Sequence, residues 1–148
     1  MEPFNPETSG CIICGGNNPI GLHLRFLPAP DGGVEAELTL DENWQGYAQL
    51  AHGGIVAGLM DDAMWHAIYR RTERWMVTAE IRVRYKRPVV IGQAVRVRAV
   101  IERLDGRLVH AVATILQSKD GGESILAEAH GRFLAAPGGF IGFRHSPE

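Results

Sequence analysis

The sequence predicts an α+β domain in which an antiparallel sheet of about six strands wraps around one long central helix. Residues 54–71 are apolar on nearly every side, which is typical of a buried helix. The Val-rich segments after them are joined by short Gly turns, which favours an antiparallel meander. With 148 residues, the chain fits one domain, so we expect a single domain over 1–148 with loose ends at 1–10 and 137–148.

The expected strands follow from alternation and turn signals. In the second of them Val34, Ala36 and Leu38 alternate with polar residues, the period-two pattern of a half-buried strand. Turns such as Asp105-Gly106 and Asp120-Gly121 separate the later ones. The predicted strands are residues 22–27, 34–40, 78–86, 93–103, 108–119 and 124–134.

Composition excludes several classes of function. The net charge of −2 gives no general attraction to nucleic acid or to a membrane surface. No apolar stretch approaches the ~18 residues of a membrane span. The N-terminus lacks the basic and apolar regions of a secretion signal, so we expect a cytoplasmic protein without disulfides.

Two adjacent carboxylates, Asp61 and Asp62, stand inside the apolar helix that follows His52-Gly53-Gly54. Burying an ionised carboxylate costs several kcal/mol unless it is paired, hydrogen-bonded or neutralised. The first amide N–H groups of a helix have no partner within it. An open helix N-terminus near a buried acid therefore indicates an active site. Because neighbouring residues lie about 100° apart around a helix, only one acid is expected to face it.

Two motifs carry a family resemblance. The first joins WQGY at residues 44–47 to HGGIVAGLMD at residues 52–61, and the second is TAEIRVRYKRP at residues 78–88. In the spacing of its glycines, its apolar residues and its acidic residue, this pattern resembles the hotdog-fold thioesterases. The closest branch looks like the acyl-CoA thioesterases similar to the phenylacetate-pathway enzyme. The resemblance extends over about residues 11–134 and implies hydrolysis of acyl-CoA to free acid and coenzyme A.

The resemblance also implies roles for five residues. The acid at Asp61 acts as general base or nucleophile, and the N–H of Gly54 binds the thioester carbonyl oxygen. Gln45, His52 and Thr78 position the reactants. The reaction needs an activated oxygen and an oxyanion donor, both of which can be built here without a metal or cofactor. In the family the pocket lies between subunits, so a homodimer or dimer of dimers is expected.

Other interpretations of these residues stay open. Asp61 could satisfy backbone groups only, and His52 could be a loop histidine held by the backbone. Asp62 is expected to pair with a basic residue or to face a subunit interface. Ala48-Gln49 replaces a Pro-Gly pair common in relatives, which leaves the shape of that loop open. The alternative functions are a non-catalytic acyl-CoA binding module and a dehydratase or hydratase, although the sequence lacks the Asp and His arrangement of the latter.

The basic residues Arg82, Arg84 and Lys86 alternate along one expected strand. They are interpreted as a solvated outer face in preference to a strip that binds the phosphates of coenzyme A.

Cys11 and Cys14 have the spacing of a zinc knuckle, but a closed structural site needs four ligands. His23 or the cysteine pair of a second subunit could complete it, although nothing in the sequence indicates either. Two thiols without a metal are the favoured interpretation.

Overall fold

In the computed structural model, residues 10–136 are described. Of the ends expected to be loose, residues 1–9 and 137–148 lie outside the described part. Besides one 3₁₀ turn at Glu42–Trp44, the elements in chain order are β1 (Leu27–Pro28), β2 (Val34–Thr39), α1 (Gly53–Thr72), β3 (Met76–Tyr85), β4 (Ala94–Asp105), β5 (Leu108–Lys119) and β6 (Gly122–Ala135).

The strands form one six-stranded sheet in the order β1-β2-β4-β5-β6-β3, and every pair is antiparallel. The two hairpins of β4-β5-β6 turn at Gly106 and Gly121, whose φ angles of 61° and 79° favour glycine. Helix α1 carries the chain from β2, near one edge, to β3 at the opposite edge. The predicted antiparallel sheet with one long helix is confirmed.

Helix α1 begins and ends within one residue of the predicted range. Its N-cap is His52, whose side chain accepts a hydrogen bond from the Gly54 N–H. Its C-cap is Glu73, which has a left-handed φ of 55° and donates its backbone N–H to the Tyr69 carbonyl. The sheet and the helix share one core, whose largest fully buried apolar side chains are Phe26, Phe133, Leu40, Leu59, Met60, Met64, Ile68, Ile115, Val34, Val97 and Val109.

The predicted strand at residues 22–27 is wrong over most of its length, because only Leu27–Pro28 forms a ladder. The segment keeps the expected alternation, since Leu24 and Phe26 are buried while Arg25 is exposed. Its amides bond elsewhere, however: Leu22 and Leu24 donate to the carbonyls of Ile12 and Ile13. The segment therefore lies against the N-terminal cysteine turn instead of extending the sheet.

A β-bulge interrupts β3 close to its start. Thr78 is opposite Phe133 on β6, but the next pair is Glu80 with Arg132, so Ala79 is an extra residue without a partner. Side chains alternate along a strand, and an extra residue reverses the phase. Thr78 therefore shares the helix-facing side with Ile81 and Val83 beyond the bulge, a position that uninterrupted alternation would give to Ala79.

Candidate active site

Asp61 and Thr78 form the best-defined polar contact on the exposed side of the helix. Thr78 Oγ1 donates a hydrogen bond to Asp61 Oδ1 at 2.7 Å, which connects the middle of α1 to the start of β3. Asp61 is half-buried and Thr78 is exposed. A carboxylate oxygen with a fixed donor and partial access to water is suitably arranged for general-base chemistry.

Burial raises the pKa of Asp61 above the ordinary aspartate value. The hydrogen bond from Thr78 acts in the opposite direction and lowers this pKa, while the negative charge of Asp62 raises it. Because burial is the largest influence, the carboxylate is more basic than an exposed aspartate. Such a shift favours proton abstraction near neutral pH.

The start of the helix forms a second polar group. The Gly54 N–H donates to His52 Nδ1 at 2.9 Å. The imidazole therefore accepts the hydrogen bond that, by the family resemblance, this amide would donate to the thioester carbonyl. A Cβ on Gly54 would lie 3.0 Å from that same Nδ1, which shows how close the ring lies. The structure thus brings His52 and Gly54 together, with His52 as the helix cap.

Gln45 lies on the exposed loop before the helix. Its Oε1 accepts a hydrogen bond from the Gln49 N–H at 3.1 Å, and its backbone forms an isolated bridge with Ala51. The His52 N–H donates to the Trp44 carbonyl, so the loop returns to the helix start. Gln45 therefore lies on the same loop as His52, but its amide oxygen bonds to the loop itself.

Tyr85 also belongs to this region, although its place in the sequence does not predict a role there. Its hydroxyl donates to the Gly53 carbonyl at 2.7 Å, and a Cβ added at Gly53 would be in van der Waals contact with its ring. It connects the end of β3 to the first turn of α1. The alternation of Tyr85 with the basic residues of β3 indicated that it faces the helix, but not that it reaches this carbonyl.

The two polar groups are separated within one chain. Asp61 follows Gly54 by seven residues. This spacing puts both on the same helix face but about 10 Å apart along the axis. In a thioester, the carbonyl oxygen that would bind the Gly54 amide is bonded directly to the carbonyl carbon that would be attacked beside Asp61. A single chain therefore cannot bring Asp61 and Gly54 to the same carbonyl group in this conformation.

Asp62 faces a different surrounding from Asp61, as the helical spacing predicted. Its Oδ2 lies 3.5 Å from Nε2 of the fully buried His66, which is one turn further along α1. Its Oδ1 accepts from the Cys11 thiol at a sulfur-to-oxygen distance of 3.8 Å. The ion-pair distance to His66 agrees with the expectation that Asp62 pairs with a basic residue, although no hydrogen bond joins the two side chains. The contact with Cys11 is not predicted by the sequence.

The N-terminal cysteines lie together against this helix face. Hydrogen bonds, the largest from the Cys14 side chain and others from backbone amides, lower the pKa of the Cys11 thiol to about 6, against the opposing effects of burial and of the Asp62 charge. His23 is directed elsewhere, since its Nε2 lies 2.6 Å from the Asn18 carbonyl oxygen. Among the acidic and histidine side chains of residues 10–136, Asp62 is therefore the one that approaches the thiols.

The basic strip on β3 lies on the exposed face. Arg82, Arg84 and Lys86 are exposed, and Lys86 Nζ lies 3.5 Å from a carboxylate oxygen of Glu128 on β6. Exposure agrees with the preferred interpretation of a solvated face.

Comparisons with known proteins add the family. A solved structure of one thioesterase superfamily protein has a TM-score of 0.74 and 23% identity, covering 84% of this chain and 62% of that protein. This chain thus spans less than two thirds of that protein's length. A thioesterase family protein from Silicibacter pomeroyi has a TM-score of 0.68 and 24% identity over 81% of this chain and 90% of its own.

An acyl-CoA hydrolase from Staphylococcus aureus, solved with butyryl coenzyme A and coenzyme A, has a TM-score of 0.64 and 14% identity, covering 68% of this chain and 63% of its own. These likenesses confirm the hotdog fold. A search of curated proteins finds no significant match. Within residues 10–136, no helix is long and apolar enough to cross a membrane. The sequence profile of the thioesterase superfamily matches residues 48–124, and the chain belongs to that superfamily.

Proposed function

We propose that this protein hydrolyses acyl-CoA thioesters, with Asp61 as general base or nucleophile. The observation that carries the proposal is the half-buried Asp61 carboxylate, which is held by Thr78 at 2.7 Å and has a raised pKa. Membership of the thioesterase superfamily and the likeness to an acyl-CoA hydrolase support the same substrate class.

In the general-base version, a water molecule beside Asp61 attacks the thioester carbonyl carbon and transfers a proton to the carboxylate. The carbonyl oxygen becomes an oxyanion, which the N–H of Gly54 stabilises at the positive end of α1. The C–S bond then breaks, and the coenzyme A thiolate leaves and is protonated. The products are a carboxylic acid and coenzyme A, and the step needs no metal or cofactor.

We propose further that the complete site forms between two copies of the chain. Within one copy, Gly54 and Asp61 are about 10 Å apart along the helix axis. A second copy that packs antiparallel to α1 would bring its own Gly54 close to Asp61. Strand β3 pairs on one side only among the described residues, so its outer edge is available for such a partner.

The bond between the Gly54 N–H and His52 Nδ1 must lengthen or be shared when substrate binds. The imidazole caps the helix while no substrate is present, and the developing oxyanion is the stronger acceptor. We expect Gln45, on the same loop, to orient the thioester with its side-chain NH₂ group, because its Oε1 already accepts from the Gln49 N–H. We expect Thr78 to keep the Asp61 oxygen directed at water.

The first experiment measures release of coenzyme A thiol from a panel of acyl-CoA esters by the wild-type protein, Asp61→Asn and Asp61→Ala. The resemblance to the phenylacetate-pathway branch adds an aryl-acyl ester to the aliphatic ones in the panel. We expect hydrolysis of at least one class, with a loss of about 100-fold or more in both variants while they stay folded. Activity that survives both substitutions would reject Asp61 as the catalytic acid.

The alternative function is a non-catalytic acyl-CoA binding module. The occupation of the Gly54 amide by His52 favours it, because a capped amide cannot stabilise an oxyanion until the cap moves. Wild-type protein that binds acyl-CoA in calorimetry but releases no thiol would support the binding module and reject hydrolysis.

The shared site is tested by mixing two inactive variants. Asp61→Asn removes the base, and Gly54→Pro removes the amide hydrogen. In a randomly mixed homodimer population, a site built from both chains restores about a quarter of the wild-type activity, because half the dimers are mixed and each holds one intact site. No recovery in a population shown to contain mixed dimers would reject the shared site.

A further inference from the structure

A second cluster of chemically reactive groups lies about 100° around α1 from the Asp61 side chain, distinct from the proposed hydrolytic site. It consists of the side chains of Cys11, Cys14 and Asp62, whose potential ligand atoms all lie within 4.8 Å of one another. We propose that these three residues bind a zinc ion, which joins the N-terminal cysteine turn to the helix that carries Asp61.

The spacing of the three ligands fits zinc. Zn–S bonds of about 2.3 Å and Zn–O bonds of about 2.0–2.2 Å place tetrahedral ligand atoms about 3.5–3.8 Å apart. Cys11 Sγ and Asp62 Oδ1 are 3.8 Å apart, already close to that separation. Two sulfur ligands and one carboxylate suit zinc better than magnesium or calcium, which prefer oxygen alone.

The cysteine turn has the local form of a metal knuckle. The backbone N–H of Ile13 donates to Cys11 Sγ at 3.4 Å, and the N–H of Gly15 donates to the Cys11 carbonyl at 2.9 Å. Amide hydrogen bonds to a sulfur favour the thiolate, which is the form that binds a metal. The turn is held in place by Leu22 and Leu24, whose amides bond to Ile12 and Ile13.

Beyond Asp62, His66 supplies an independent indication. It is fully buried, and neither of its ring nitrogens has a hydrogen-bond partner within the described part of the chain, nor does Asp62 Oδ2. The Nε2 of His66 and this Oδ2 are 3.5 Å apart, within ion-pair range but without hydrogen-bond geometry. Buried polar groups without partners are costly. Once Oδ1 binds a metal, a small shift would let His66 donate to Oδ2, the usual arrangement around a metal-bound carboxylate.

Charge also favours a cation here. When a metal displaces the thiol protons, the two sulfurs and the Asp62 carboxylate carry three negative charges, and a divalent ion holds them together by attraction. Asp62 has 15% of its side chain exposed, so water can take the fourth position of the tetrahedron. The ion would fasten residues 11–24 to the middle of α1, one residue from Asp61.

The test uses the full chain purified under reducing conditions. Zinc content is measured first, and the metal-free protein is then titrated with Co²⁺, whose bonds to thiolates absorb in the near ultraviolet. We expect about one equivalent of zinc per chain, a thiolate-to-cobalt band, and a lower unfolding temperature after chelation. Wild-type protein that takes up neither metal, or that binds cobalt without the thiolate band, would overturn the proposal whether or not any variant folds.

Two matched variants identify the carboxylate. Asp62→Asn should weaken cobalt binding by about tenfold or more, because it replaces an anionic ligand with a neutral amide. Asp61→Asn, the neighbouring substitution, should leave cobalt binding unchanged although it removes the proposed base. Equal cobalt affinity in wild-type protein and Asp62→Asn would exclude Asp62 as a ligand. This outcome is independent of whether the protein hydrolyses acyl-CoA.

Discussion

The hydrogen bond from Thr78 Oγ1 to Asp61 Oδ1, 2.7 Å long, joins an edge strand to the middle of the central helix. It depends on the bulge at Ala79, which turns Thr78 towards the helix although the sequence alternation of β3 would turn it away. Bulges that re-aim a side chain are common next to active sites. The contact places a single hydroxyl donor on the carboxylate that we propose as the catalytic base.

Removing this donor should change the pH dependence of hydrolysis. The Thr78 hydrogen bond lowers the pKa of Asp61, so Thr78→Val should raise that pKa further. Because Asp61 acts as a base only in its carboxylate form, the rising limb of the pH–rate profile should move to higher pH. At pH values below the new limb, kcat should be about tenfold lower than in wild type. Thr78→Ser keeps the donor and should retain the wild-type profile. An unchanged profile in Thr78→Val would show that the hydroxyl does not influence Asp61.

The raised pKa of Asp61 also predicts how stability depends on pH. A carboxyl group whose pKa is higher in the folded state binds more protons there than in the unfolded chain. Its contribution to stability is therefore fully present below the unfolded pKa and is lost as pH rises through the folded one. Asp61→Asn should unfold at a higher temperature than wild type at neutral pH, and this advantage should vanish in acid. Thermal unfolding of both proteins at two pH values tests this, and a constant difference would contradict it.

Much of the fold could be predicted from the sequence because its signals are local. The apolar run of α1 and the glycine turns of the meander depend on neighbouring residues, and α1 was predicted to within one residue at each end. The sequence also predicts a strand at residues 22–27, where buried and exposed side chains do alternate although only Leu27 lies in a strand. Alternation indicates which side chains are buried, but a strand also requires backbone hydrogen bonds to a neighbouring strand. The amides of Leu22 and Leu24 instead donate to carbonyls of the cysteine turn.

The candidate site was predictable only in part, for a similar reason. The separation of Asp61 and Asp62 around the helix follows from helical geometry alone. The contact of Asp62 with Cys11, however, joins residues 51 positions apart in the chain, and no periodicity connects them. The contact of Tyr85 with Gly53 is equally distant in sequence, at 32 positions. Contacts of this kind depend on how elements pack, which one sequence does not reveal.

The helix cap predicts a graded effect of substitutions at His52. His52 Nδ1 accepts from the Gly54 N–H at 2.9 Å, and loss of an N-cap acceptor costs about 1 kcal/mol. His52→Ala should therefore lower the free energy of unfolding by about that amount, while His52→Asn, a good cap, should nearly retain it. Urea unfolding measures both. Equal stability of wild type and His52→Ala would show that the cap contributes nothing in solution.

The hydroxyl of Tyr85 should matter for catalysis more than for stability. It is 52% exposed, and its bond to the Gly53 carbonyl holds the peptide group that also carries the Gly54 N–H. Tyr85→Phe keeps the ring and removes this bond, so we expect a loss of at most about 1 kcal/mol in stability. Because a small displacement of an oxyanion donor weakens it, kcat should fall several-fold with little change in KM. A change confined to KM would instead indicate that Tyr85 contacts substrate.

Gly33 lies so close to β4 that adding a methyl group at this position should strongly lower the stability of the fold. A Cβ at Gly33 would lie 2.0 Å from the Ala99 carbonyl oxygen, a backbone atom that cannot turn away as a side chain can. Gly33→Ala must therefore separate β2 from β4, and we expect a loss of about 3 kcal/mol or more in stability. Gly16→Ala is the matched control, because a Cβ there meets no atom of residues 10–136 within 4 Å. Similar urea midpoints for the two variants would show that this end of the β2-β4 pair opens at little cost.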